Sequence, residues 1–111
     1  MRKVCYKNRA LRMALGLTQE EVAAMIGVCT ATVCMYERDL LDGDTYDNQI
    51  AQALGGIRKH QNEKYGYWYD AYVDNKAAMH EIEIYLEFEK TVPTEVIKYA
   101  KACAQRFSAE V

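Results

Sequence analysis

The sequence predicts an all-α fold: four to five short helices in the first half, then a helical extension through the second. Two observations carry this. Apolar residues recur at three- and four-residue intervals, first through Val22, Ala23 and Ile26 and later through Val96, Ala100, Cys103 and Phe107. Helix punctuation also stands at the matching places, with Gly16, Gly27 and Gly55-Gly56 at expected ends and Pro93 at an expected start. An apolar fraction of 50% over 111 residues suffices for the core of one small domain, or of a domain with an accessory segment.

In chain order, the first helix is expected from about Asn8 to Leu15, with Leu11, Ala14 and Leu15 inward and Gly16 closing it. Thr18-Gln19-Glu20-Glu21 reads as a capping box: the Thr18 hydroxyl accepts from a first-turn N–H while Glu21 reaches back. Gly27 suits a left-handed residue that ends the second helix, because glycine has no Cβ to clash there. A third helix follows, with Val33 and Tyr36 inward and Thr30, Ala31, Thr32, Cys34 and Met35 outward. Cys29 stands where Ser or Thr normally caps, so that cap is expected to be weaker. Helix, glycine turn, helix is the geometry by which one helix enters a DNA groove while the other braces it.

A fourth helix is expected over about Thr45 to Leu54, capped by Asp44 or Thr45, with Ile50, Ala51 and Leu54 inward and Gly55-Gly56 stopping it. Tyr65, Trp68, Tyr69 and Tyr72 then recur at i, i+3, i+4, i+7, an aromatic helical face suited to a core or a dimer contact. The stretch Glu81 to Glu89, EIEIYLEFE, supports two readings. Its alternation is a strand pattern, giving a β-hairpin at about 65–89 with a turn at Asp74-Asn75-Lys76. Its Glu and Leu content and the Ala77-Ala78-Met79 lead-in favour a helix from about Asp74 to Lys90, which we adopt. Pro93 opens the last helix, whose stripe is Val96, Ile97, Ala100, Cys103, Ala104 and Phe107.

Leu11-Arg12, Gly16-Leu17-Thr18-Gln19-Glu20-Glu21-Val22-Ala23, Ile26-Gly27-Val28, Val33, Tyr36-Glu37-Arg38 and Ile50-Ala51-Gln52-Ala53-Leu54-Gly55 together resemble the Cro/phage-repressor type of helix-turn-helix, the xenobiotic-response-element (XRE) family. The resemblance covers about residues 6–56 and is silent on the rest. It implies a Cro/repressor-like helix-turn-helix domain at 1–57, with 58–111 as a C-terminal helical extension and dimerisation element. It also implies a largely buried Arg12–Glu37 ion pair tying the first helix to the third, and a phosphate contact for Gln19. The recognition helix, at about 29–37, departs from its relatives. It offers small and apolar groups where they place Gln, Arg, Lys or Ser, so base discrimination should be modest. A second departure is the loop after Arg38, which carries Asp39, Asp42, Asp44 and Asp47 where relatives are basic.

Net charge is −2, but residues 1–12 carry Arg2, Lys3, Lys7, Arg9 and Arg12 with no acid, while 65–111 are net −3. A basic front and an acidic back suit a nucleic-acid face with a solvated or partner-binding tail. The start lacks the apolar core of a signal peptide and no run approaches a membrane span, so a cytoplasmic protein without membrane association is expected. Cys5, Cys29, Cys34 and Cys103 read as free thiols; no C-x-x-C exists and neither His60 nor His80 neighbours a cysteine pair, so no metal is expected. No nucleophile–His–acid set or glycine-rich phosphate loop is present, so neither an enzyme nor a cofactor is expected. The expected function is a sequence-specific, dimeric DNA-binding transcriptional regulator, a repressor of phage or mobile-element type. Gln19, Thr30, Ala31, Thr32 and Met35 would contact DNA, with Arg38 and the basic N-terminal segment on phosphates. The alternative is a protein-binding module with weak or no DNA affinity, such as an antirepressor or an inhibitor of a host defence enzyme.

Overall fold

The computed structural model describes residues 3–110, with side chains through Ser108. It is all-helical among these residues: α1 (Val4–Ala14), α2 (Gln19–Ile26), α3 (Thr30–Glu37), α4 (Asp47–Tyr65), α5 (Trp68–Glu87) and α6 (Thr94–Glu110). The α1–α5 pair is the most extensive packing in the fold. Helices α3 and α4 also pack on α1, α2 bridges α3 and α4, and α6 lies along α5. One core, which includes Tyr6, Val22, Val33, Leu54, Val73, Ile84 and Val96, draws on every helix. None of the described helices is long and apolar enough to cross a membrane.

α1 begins a full turn before the expected Asn8, because its N-terminus is capped from outside. Lys3, its N-cap residue, makes no side-chain cap, and its backbone N–H donates instead to the Tyr85 hydroxyl of α5 at 2.8 Å. Tyr6 stacks on Phe88 (5.2 Å between centroids) and meets Tyr85 edge-on (5.3 Å), while the Lys90 ammonium donates to its hydroxyl at 2.8 Å. These contacts span about 80 residues of sequence and add a buried turn that no local signal announces.

α4 does not stop at Gly55-Gly56; it runs on to Tyr65 and is ended by Gly66 at φ 97°. The 57/58 boundary expected between two domains therefore falls inside a continuous helix. Ile50, Leu54 and Ile57 share one inward face, and Arg58 then joins α4 to α5 through Asp70 (3.0 Å) and Asp74 (2.6 Å). Those contacts offset the glycines, whose propensity cost is about 1 kcal/mol each. Ala51, expected inward, is exposed. Neither Asp44 nor Thr45 caps α4: Tyr46 is the N-cap residue and no side-chain cap bond forms. A Cβ added to Gly55 or Gly56 meets nothing within 4 Å. Gly55→Ala/Gly56→Ala is thus expected to raise stability by about 1–2 kcal/mol, read as a higher midpoint in circular-dichroism melting.

The 65–89 stretch is helical, not a hairpin, although its span differs from the expected Asp74 to Lys90. Gly66 separates Tyr65, at the end of α4, from Trp68, at the start of α5, so the four aromatics do not share one helix. Tyr65 still packs on Tyr69 at 5.5 Å, and Tyr72 reaches Phe107 of α6 at 6.1 Å. Alternation in EIEIYLEFE misleads because a helix scatters those positions: Ile84 is buried and Leu86 exposed, with Glu81 buried too. On α6, Val96 and Cys103 are buried as expected, whereas Ile97 and Ala104 turn to solvent because only α5 covers this helix extensively. Arg106 pairs with Asp74, extending the Arg58–Asp74 link to α6.

Candidate nucleic-acid interface

The candidate interface is built on α2 and α3. At the start of α2 the Thr18 hydroxyl accepts from the Glu21 N–H at 3.0 Å, and the Glu21 carboxylate accepts from the Thr18 N–H at 2.9 Å, completing a capping box. Gly27 ends the helix in the left-handed region at φ 75°. Val28 turns its N–H back to the Ala23 carbonyl (3.0 Å), which leads the chain into α3. Val22 and Ala23 of α2 and Val33 and Tyr36 of α3 are buried. This inward set fixes which side of α3 remains outside.

That outer side carries Thr30, Ala31, Met35 and Arg38, all exposed. Thr32 and Cys34 are half-buried, and the Thr32 hydroxyl is engaged with the Cys29 thiol at 3.2 Å. That bond is the main cause that holds the Cys29 thiol below the usual thiol range. Cys29 makes no side-chain cap bond of its own to α3. The face is therefore small, weakly polar and singly charged, with Arg38 as its cation.

Behind α3 sits a buried carboxylate. Glu37 is 3% exposed and accepts from Arg12 Nε (2.6 Å), Arg12 Nη2 (3.0 Å) and Gln19 Nε2 (2.9 Å). Arg12 Nη1 donates in addition to the Leu17 carbonyl at 2.6 Å, and Arg9 Nε lies 3.9 Å from Glu37. One carboxylate thus gathers side chains from α1, the start of α2 and the end of α3, and sets the attitude of α3. Gln19 belongs to this cluster. An amide NH2 carries two hydrogens, so its bond to Glu37 uses one and leaves the other.

The tyrosine one residue earlier forms a second anchor. Tyr36 donates to Asp47 Oδ1 at 2.6 Å and accepts from the Asn8 amide at 2.9 Å. Burial, then the carboxylate of Asp47, push its phenol far above the ordinary tyrosine range. Asp47 is thereby a structural acceptor between α3 and α4. Asp39, in the left-handed region at φ 58°, pairs with Lys3 at 3.3 Å. Of the four aspartates in the loop, Asp42 and Asp44 form no such bond to another described residue, and both are exposed.

The basic front divides in the same way. Arg12 is spent on Glu37, Arg9 pairs with Glu87 at 3.1 Å, and Lys3 is shared with Asp39. Lys7 is exposed, and Arg2 lies outside the described residues. Sequence reasoning missed the roles of Arg9, Lys3 and Asp47, whose partners are 11 to 78 residues away and leave no local trace. Comparison with protein-family models, with curated proteins and with solved structures gives no significant match.

Proposed function

We propose that this chain is a sequence-specific, dimeric DNA-binding transcriptional regulator, a repressor of phage or mobile-element type, with a Cro/repressor-like helix-turn-helix in its first half and a cytoplasmic site of action. The observation that carries the reading is the outer face of α3. Thr30, Ala31, Met35 and Arg38 stand clear of the core on a helix held from behind by Glu37 and Tyr36. In this reading α3 enters the major groove. The threonine hydroxyls take polar contacts, Ala31 and Met35 meet thymine methyls, and Arg38 takes a phosphate. Gln19, at the N-terminus of α2, offers its remaining amide hydrogen to a phosphate beside the free N–H groups of that helix turn. Two such helices about 34 Å apart would read an inverted repeat.

The acidic loop weighs less against DNA than its composition suggests, since Lys3 offsets Asp39 and Tyr36 engages Asp47. A second reading, a protein-binding module with little DNA affinity, is favoured by exposed Asp42 and Asp44 and by the internal pairing of Arg9 and Arg12. Fluorescence anisotropy on duplex from upstream of the gene, against a scrambled duplex, separates the two. The regulator reading expects tighter binding to the upstream duplex that falls log-linearly with salt. Asp42→Lys/Asp44→Lys should then tighten it about tenfold and steepen the salt slope. Equal, weak binding to both duplexes at low salt would instead support the protein-binding module.

A further inference from the structure

α5 packs on α1, α4 and α6, and its outward side is largely apolar, although Tyr72 there reaches Phe107 of α6 and both Tyr72 and Ile82 lean on the core. Trp68, Met79 and Leu86 are 49%, 51% and 62% exposed, and Tyr72, Asn75 and Ile82 beside them are half-buried. In order these six positions, 68, 72, 75, 79, 82 and 86, are spaced 4-3-4-3-4. That is the seam of a two-helix coiled coil, where knobs repeat every 3.5 residues. At 1.5 Å per residue it runs about 27 Å, and the positions fall within roughly 40° of a single line on the helix surface. Tyr72 and Ile82 serve the chain's own core in part, but Trp68, Met79 and Leu86 are apolar positions that a helix covering only its own core would leave polar.

We propose that this seam is the self-association surface of the protein, and that a second copy of the same helix occupies it in antiparallel orientation. The charges choose the occupant and its direction. One edge of the seam carries two exposed charges seven residues apart, Lys76 and Glu83; the other carries Ala71, Ala78 and Tyr85, buried in the chain's own fold. In a parallel pair each charged edge would face the partner's uncharged edge, leaving Lys76 opposite Ala71 and Glu83 opposite Ala78. In an antiparallel pair like edges meet, and a two-fold axis near residue 80 sets Lys76 against the partner's Glu83 and Glu83 against the partner's Lys76. The same register puts Met79 against the partner's Ile82 and Leu86 against the partner's Asn75, so the paired stretch runs from Asn75 to Leu86, about 17 Å, with its apolar layers at the centre and Trp68 and Tyr72 beyond the overlap. The surface is thus self-complementary in both shape period and charge, as an isologous contact requires.

This rests on the dimer element of the function proposed above and is tested without DNA: a dimer indifferent to the substitutions below overturns the seam alone, a monomer removes the dimer element as well, and neither outcome bears on DNA binding by α3. The test is sedimentation equilibrium of the full chain at low and physiological salt. A reversible dimer is expected. Met79→Glu/Leu86→Glu should weaken it at least about a hundredfold, with an unchanged far-UV spectrum because both side chains already face water. Lys76→Glu and Glu83→Lys should each weaken it about tenfold at low salt, and the double charge exchange should return it to within about twofold of the parent. The exchange series decides even if the Met79/Leu86 variant folds poorly. A monomer at all concentrations, a dimer indifferent to these substitutions, or a double exchange no better than the singles would overturn the proposal.

Discussion

Replacing Glu37 with glutamine is expected to cost about 3–5 kcal/mol of stability, the range found when one member of a buried ion pair is removed. The Arg12 side chain is only 12% exposed, and its guanidinium would keep its charge while losing the carboxylate it grips by two nitrogens. Gln19 would lose its charged acceptor in the same step. A loss of this size is a large share of the 5–15 kcal/mol that holds a typical domain together. Urea titration should show a lower midpoint with an unchanged slope if the variant remains two-state. Arg12→Met/Glu37→Leu should lose less than either single change, because no charge is then stranded. A loss below about 1 kcal/mol for Glu37→Gln would mean that water screens the cluster, and would remove the argument that it sets the attitude of α3.

Leu54→Ala is expected to cost about 2–5 kcal/mol, from lost transfer energy plus the cavity left behind. Leu54 is fully buried in the common core, on the helix that packs on α1, α2 and α5. Ala51, one turn earlier, supplies the control: it is exposed, so Ala51→Gln should change stability by less than about 0.5 kcal/mol. Both are read from the same denaturation series. A small loss at Leu54 would imply that the core collapses around the cavity, and that the two halves of the chain are less tightly joined than the continuous helix suggests.

What the sequence determined by itself is what rests on neighbours in the chain. The Thr18–Glu21 capping box spans three residues, and the Gly27 turn depends on one. The inward faces of α2 and α3, and with them the outward placement of Thr30, Ala31 and Met35, follow from the 3.6-residue period. The Arg12–Glu37 contact was reached through the family resemblance, since 25 residues separate the partners and no local rule pairs them.

Tertiary structure decided the rest, because there the local preferences were weak or contradictory. Gly55-Gly56 reads as a stop, but a cost of about 1 kcal/mol per glycine yields to a packed face and to the Arg58 pairs with Asp70 and Asp74. EIEIYLEFE satisfies the strand period, yet becomes helix because Ile84 and Tyr85 find buried places along α1 and α6. The basic N-terminal stretch reads as a phosphate-binding surface, but Arg9 and Arg12 turn inward once Glu37 and Glu87 are brought beside them. Charge along a chain states how many ions there are; only the fold states which have already found each other.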